Sequence, residues 1–518
     1  MKRWILTLLI INLVIQFNTK SSGSTNENIL KIRSIADITT LDPAFIVSTP
    51  ESIILDAIHR KLITYMPGNY WVWEMDAAKS ISQIDDTHIE FSLKQGIFFT
   101  NGFGEMTAED VKYSFERFID PSLKSDLAGG WGALDHVFIT GKYSGIIVLK
   151  TPFMPLWSST LPGVTGHILS KKASTSINKN RLHLQQAYSG PYYLKEWKPK
   201  ERIILVRNEN YIGFNGLKAD FDQIHVFPIS DDRTAEMAFE TGDLDFTCVS
   251  LASYVRYLQK LPKNSTIGYF PSLYSYHLGQ NQNNDLLKDI RVRQAIQIAV
   301  NIPEIIQESY LGLALPATGI VPYGIIGYRP TSHIPLIGDT KKAKELLRSA
   351  GFPNGISVTL DCQNKTVDIK TAQIIQKTLI QAGIKVKINL YDVETFRQLG
   401  KKSSGNNRNQ LQLFLSRWSA DPDPNYTLQY FSSMYIGSNN WEHFANKAYD
   451  QMVIQGVKEL DSIKRSKLYI KMQDMLEDSG SFRFITNETT PLVYRNKIIP
   501  GLRPDGIPLL HYFKKNRE

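Results

Sequence analysis

The sequence predicts an α/β protein built in two lobes. Its 518 residues exceed what a single hydrophobic core fills, at roughly 150 residues per domain. An apolar content of 42% with 21% charged residues is that of a globular chain rather than a disordered or fibrous one. The second half alternates helical and strand periodicities, as in α/β lobes.

From the N-terminus, Lys2 and Arg3 precede an apolar run from Trp4 to Phe17, then small polar residues from Ser21 to Ser24. This reads as a Sec-type signal peptide over residues 1–23, removed on export. The run falls short of the about 20 residues of a membrane span. No cysteine lies near it, so a free exported protein is expected rather than a lipid-anchored one.

Next, Leu93 to Pro121 combines an alternating strand, a glycine turn and a helix. Thr107 is placed to cap that helix with Asp110 at its third position, while Ala108, Val111, Phe115 and Phe118 recur along one face. Ser189-Gly190-Pro191-Tyr192 reads as a turn before the β-branched run Ile203 to Val206. Val292, Ala295, Ile296 and Ala299 line another helix. Asp339 and Thr340 start one with Ala343, Leu346, Leu347 and Ala350 inward, ended by Gly351. Ile356, Val358 and Leu360 alternate as a strand, Ile369 to Leu379 repeat as a helix, and Ile384 to Leu390 alternate strictly as a further strand.

Several function classes find no support. The chain has no G-x-x-x-x-G-K phosphate loop, and Asn101-Gly102-Phe103-Gly104 lacks the third glycine of a dinucleotide fingerprint. Neither H-E-x-x-H nor G-x-S-x-G occurs, and the ten histidines are scattered. No catalytic residue, metal site or cofactor is therefore expected. Cys248 and Cys362 are compatible with one disulfide or with two thiols. The net charge of +9, about +6 without Lys2, Arg3 and Lys20, is dispersed and not interleaved with aromatics, which argues against nucleic acid.

Five blocks in consistent order carry a resemblance. They are Thr40-Leu41-Asp42-Pro43, Leu93 to Pro121, Ser189 to Gly213, Arg291 to Ala295 and Ala343 to Phe352. Together they resemble bacterial extracellular solute-binding proteins of family 5, the oligopeptide and dipeptide receptors of ABC importers. The resemblance implies a periplasmic-binding-protein clamp, type II-like, with an extra domain inserted in lobe I. On this basis lobe I takes residues 24–70, 181–270 and 481–518, the inserted domain 71–180 and lobe II 271–480. Two departures stand out: Arg60-Lys61-Leu62 replaces the common E-G-L, and Asp76-Ala77-Ala78-Lys79-Ser80 replaces P-x-L-A-E-S-W.

The best binding segment is Leu411 to Phe431, where an apolar run delivers Arg417-Trp418-Ser419-Ala420-Asp421 to an Asp-Pro-Asp-Pro stop. Locally this is a turn with a core tryptophan. It also resembles the W-x-x-D block of peptide receptors, which makes Asp421 the partner of a ligand's α-ammonium. Such a pair is a strong contact available to every peptide with a free amine. Its loss is expected to weaken binding with little effect on the ligand-free fold. The resemblance further implies β-augmentation at Arg417 to Ser419 and at Val47, Ser48 and Thr49. Trp418 and Trp131 are expected to wall side-chain pockets, and Lys401, Lys402, Arg408 and Arg417 are candidates for the ligand carboxylate.

The expected function is a monomeric, periplasmic peptide receptor serving an inner-membrane ABC permease and its ATPase. Rival readings are a same-family receptor for a murein peptide, nickel chelate, haem or cationic sugar, an exported hydrolase, and a peptide-holding chaperone.

Overall fold

The computed structural model describes residues 28–176, 186–213, 216, 218–401 and 410–517. The expected signal peptide, Lys402 and Arg408 lie outside these residues. No helix among the described residues is long and apolar enough to cross a membrane.

One sheet of eleven strands runs through both lobes. In lobe I the order is Tyr192–Lys198, Arg202–Arg207, Gln223–Pro228, Ile29–Ser34 and Phe246–Cys248. In lobe II it is Leu413–Ser419, Ile356–Gln363 and Ile384–Tyr391. Between them lie two long strands, Ser265–Gln280 and Phe482–Arg495, which belong to both lobes. Their antiparallel ladder runs from Ser265↔Arg495 to Pro271↔Thr489, breaks, and resumes at Ser275↔Asn487. Pro271 has no N–H to donate, so pairing lapses where the chain must bend from one lobe to the other.

Lobe II follows the pattern read from the sequence. The helix Thr340–Ser349 is capped by Asp339, which accepts from the Lys342 N–H at 2.8 Å, and it buries Ala343 and Leu347. Ile356 and Ile384 then pair in register as parallel strands. Val292, Ala295, Ile296 and Ala299 are all buried in the same core. Lobe I draws its core from distant segments: Leu30, Ile54, Ile203, Phe246, Leu492 and Phe513 share one cluster.

A separate four-stranded antiparallel sheet, Ala78–Gln83, His88–Leu93, Ser144–Leu149 and Leu134–Gly141, stands between these segments. The helix Ala108–Glu116 covers it and carries the expected Thr107 and Asp110 capping box. Its terminal Arg117 forms a buried bidentate pair with Asp42, at 2.7 and 2.8 Å. Two of the blocks behind the resemblance are therefore each other's ion-pair partners. Gly190 is needed for close approach, because a Cβ there would meet the Ile58 carbonyl carbon at 2.5 Å. Cys248 and Cys362 are both free thiols, one in each lobe, and burial raises both thiol pKa values.

Candidate functional site

The site lies where the lobes meet around the end of Leu413–Ser419. This strand pairs on one side with Ser265–Gln280, from Tyr274↔Ser419 to Gln280↔Leu413. On its other side only Leu413 and Phe414 pair, with Leu360 and Asp361. From Leu415 to Ser419 that edge has no strand partner among the described residues, the geometry that β-augmentation uses. The Ala420 N–H donates to the Leu273 carbonyl at 2.6 Å, and the chain then turns through Asp421-Pro422-Asp423-Pro424.

The two aspartates of this turn differ sharply. Asp423 is fully buried and accepts from Arg465 Nη2 with both oxygens, at 2.9 and 2.7 Å, from the Asn425 N–H, and from Ser158 Oγ at 2.7 Å. Asp421 is half-buried and forms no ion pair among the described residues. Its carboxylate accepts from the Asp423 N–H at 3.1 Å and hydrogen-bonds Ser159. Burial pushes the carboxyl up to about 6, with the Asp423 charge adding to the rise. Ser159, the Asp423 N–H and Arg503 hold it down only in part.

Ser158 and Ser159 lie in the helical turn Leu156–Thr160, so hydrogen bonds join that segment to the lobe II turn. A second link is the Met154 N–H donating to the Val457 carbonyl at 2.8 Å. Tyr65 donates its hydroxyl to the Ser158 carbonyl at 2.7 Å, and Trp71 packs on the lobe II cluster around Phe431 and Phe482. The lobes are thus in contact around Asp421.

Other expected residues fall differently. Trp418 stacks on Tyr430, with centroids 5.5 Å apart, and meets Phe431 edge-on. Its indole nitrogen is buried without a hydrogen-bond partner. Ser419 is exposed. Arg417 is committed: Nε and Nη2 bond Glu488, and the guanidinium lies 3.5 Å from the Tyr274 ring centroid. That leaves it little capacity for a ligand carboxylate. Lys401 lies just beyond the helix Val393–Gln398.

Val47, Ser48 and Thr49 do not form a strand. Ser48 caps the helix Thr49–Ile58, and the Val47 and Ser48 N–H groups both bond Glu51, at 3.2 and 2.7 Å. Pairing there is restricted because these donors are already taken. Trp131 is a core residue, 1% exposed, stacked on Phe115 at 4.2 Å and donating to the Thr165 carbonyl. Enclosure on both counts leaves it no ring face for a ligand.

Sequence reading missed Arg503. It lies in the lobe I return, clamped by Asp505 through Nε and Nη2 at 3.1 and 2.5 Å. Its guanidinium sits 5.2 Å from the Trp71 ring centroid and 5.5 Å from that of Tyr65. The only local signal was an Arg-Pro-Asp-Gly turn, which says nothing about the distant aromatic neighbours Tyr65 and Trp71.

The family model for bacterial extracellular solute-binding proteins, family 5 Middle, matches residues 73–439. The chain belongs to that family. Family 5 members are the solute-binding components of ABC importers. This family 5 protein is 26% identical over 408 residues to the glutathione-binding protein GsiB of Shigella flexneri serotype 5b, spanning 76% of each chain. It is 25% identical to the periplasmic binding protein DppA of Helicobacter pylori, solved with the peptide STSA. That match has a TM-score of 0.76 and covers 95% of this chain and 98% of the other. CtaP of Listeria monocytogenes, at 19% identity, shares the fold with a TM-score of 0.82 over 94% of this chain and 99% of its own.

Proposed function

We propose that this family 5 protein is an exported, periplasmic receptor that binds short peptides in extended form and passes them to an ABC permease. It transforms nothing chemically. One observation carries the reading: Asp421, between the lobes, is a carboxylate with hydrogen bonds but no ion pair among the described residues, pushed up to about 6 by burial. A site that encloses such a group is completed by an ammonium. The open edge from Leu415 to Ser419 supports an extended ligand held through its backbone, beside the amine anchor.

The relatives agree in this chemistry, since glutathione and the peptide STSA both carry a free α-ammonium. Closure follows from the same placement. A ligand held by Asp421 on lobe II also touches the inserted domain through Ser159, and differential contact with the closed state shifts the balance toward it.

Titration calorimetry with an ordinary tripeptide and its N-acetyl derivative tests the proposal. The free amine is expected to bind at least about tenfold more tightly, and Asp421→Asn to remove that difference, consistent with roughly 2–5 kcal/mol for breaking a buried charge pair. Equal binding of the two peptides to the wild-type protein rejects it.

A further inference from the structure

The open edge of Leu413–Ser419 has a definite register, because the bonds on its paired side fix which residues face outward. The Ala420 N–H donates to the Leu273 carbonyl, toward Ser265–Gln280. Backbone groups alternate sides along a strand, so those of Ser419 and Arg417 point to the open edge. Asp421 lies beyond the C-terminal end of this strand, so a peptide whose ammonium meets it runs antiparallel along the edge. The first and third residues of that peptide then bond Ser419 and Arg417. The second stands opposite Trp418 as a non-hydrogen-bonded pair, the arrangement that brings side chains closest, with Cα atoms about 4.5 Å apart.

Residues opposite one another share a face of the sheet. The Arg417 face is charged, since Arg417 bonds Glu488 and lies on Tyr274. The Trp418 face is aromatic. Trp418 stacks on Tyr430, which meets Tyr426 and Tyr435 edge-on with centroids 5.9 and 5.0 Å apart. The Tyr426 N–H donates to the Asp423 carbonyl at 3.2 Å, so this residue belongs to the turn that carries Asp421. Burial and the Asp421 charge both raise the Tyr426 hydroxyl pKa, which puts that side chain beside the anchor. Exposure rises along the shelf from buried Phe431 through half-buried Tyr430 to Tyr426, 45% exposed. Aromatic surface left open beside a charged anchor has the composition of a recognition site.

We infer that the site selects an aromatic side chain at the second residue of its peptide, with Tyr430 and Tyr426 joining Trp418 as the specificity-determining residues. This rests on the peptide-receptor reading above and names its ligand class. Backbone pairing and Asp421 accept any peptide with a free amine, so the shelf is what chooses among them. A ring at the second residue gains edge-to-face contact with the tyrosines that an aliphatic side chain lacks. A ring at the first or third residue falls on the opposite face, with Arg417 and Glu488.

Titration calorimetry of the mature protein with Ala-Tyr-Ala, its isomers Tyr-Ala-Ala and Ala-Ala-Tyr, and trialanine is the test. Ala-Tyr-Ala is expected to bind at least about tenfold more tightly than each of the others. Tyr430→Leu and, at the exposed position, Tyr426→Ala should each cut that preference at least about threefold. Equal affinity of the three isomers for the wild-type protein, or tightest binding of another isomer, overturns the assignment and leaves the receptor reading standing, whether or not the variants fold. A preference kept in full by both folded variants also overturns it. If no peptide binds, or if N-acetyl-Ala-Tyr-Ala binds as tightly as the free amine, the Asp421 anchor fails and the register falls with it.

Discussion

At Asp421 the direction of the pKa displacement sets how pH acts on binding and on the ligand-free protein. The folded pKa is about 6 against an ordinary 3.8. A carboxyl raised on folding contributes stability that is full below its unfolded pKa and is lost as pH rises through 6. Asp421→Asn is therefore expected to stabilise the ligand-free protein at pH 7.5, raising its melting temperature by roughly 1–3 °C, with no gain at pH 4. This replaces the neutral effect on the empty fold expected from sequence. Binding has the opposite sign: an ammonium needs the ionised carboxylate, so affinity should fall up to about tenfold per unit below pH 6. It should fall again above about 8 as a ligand α-amine deprotonates. Calorimetry across pH 4.5–9 reads both limbs, and Asp421→Asn should lose the acidic one.

At the scale of elements, the Asp-Pro-Asp-Pro turn divides two duties that sequence could not separate. Asp423 holds the turn to the helix Ser462–Asp478 through Arg465, a pair whose side chains are 1% and 3% exposed. Asp423→Ala leaves that guanidinium unpaired and is expected to cost about 3–5 kcal/mol in urea unfolding. Asp421→Asn, two residues away, should not destabilise. Helices and strands were legible because their periodicity and caps are local, as at Asp339 and Thr107. The departures at Arg60-Lys61 and Asp76 were visible but unexplained. In the structure they answer one another: Arg60 Nη1 bonds Asp76 at 2.8 Å and the Lys61 N–H bonds it at 2.9 Å. Trp131 was misread because burial depends on what packs over a residue, here Phe115 and Thr165.

Across the whole molecule, the lobes share one sheet, whose central ladder lapses between Pro271 and Ser275 and shifts register again between Tyr276 and His277. Ser158 Oγ donates to the buried Asp423 carboxylate at 2.7 Å, joining the segment Leu156–Thr160 to the lobe II turn. Removing its hydroxyl costs about 1 kcal/mol of closure. Ser158→Ala should then weaken tripeptide binding about fivefold. Small-angle scattering should show the ligand-free variant more extended than wild type, with both equally compact at saturating ligand. Unchanged scattering and affinity would remove the latch from the account.

The amino-acid sequence by itself determined the α/β class, the capped helices, the alternating strands and the Asp421 anchor as an expectation, because each is written in residues a few positions apart. Only the tertiary structure decided that Asp423 is a buried strut while Asp421 forms no ion pair among the described residues, that Arg417 is spent on Glu488, and that Arg503 lies against Tyr65 and Trp71. Charge pairing depends on distance in space and on burial, and folding sets both between residues far apart in the chain.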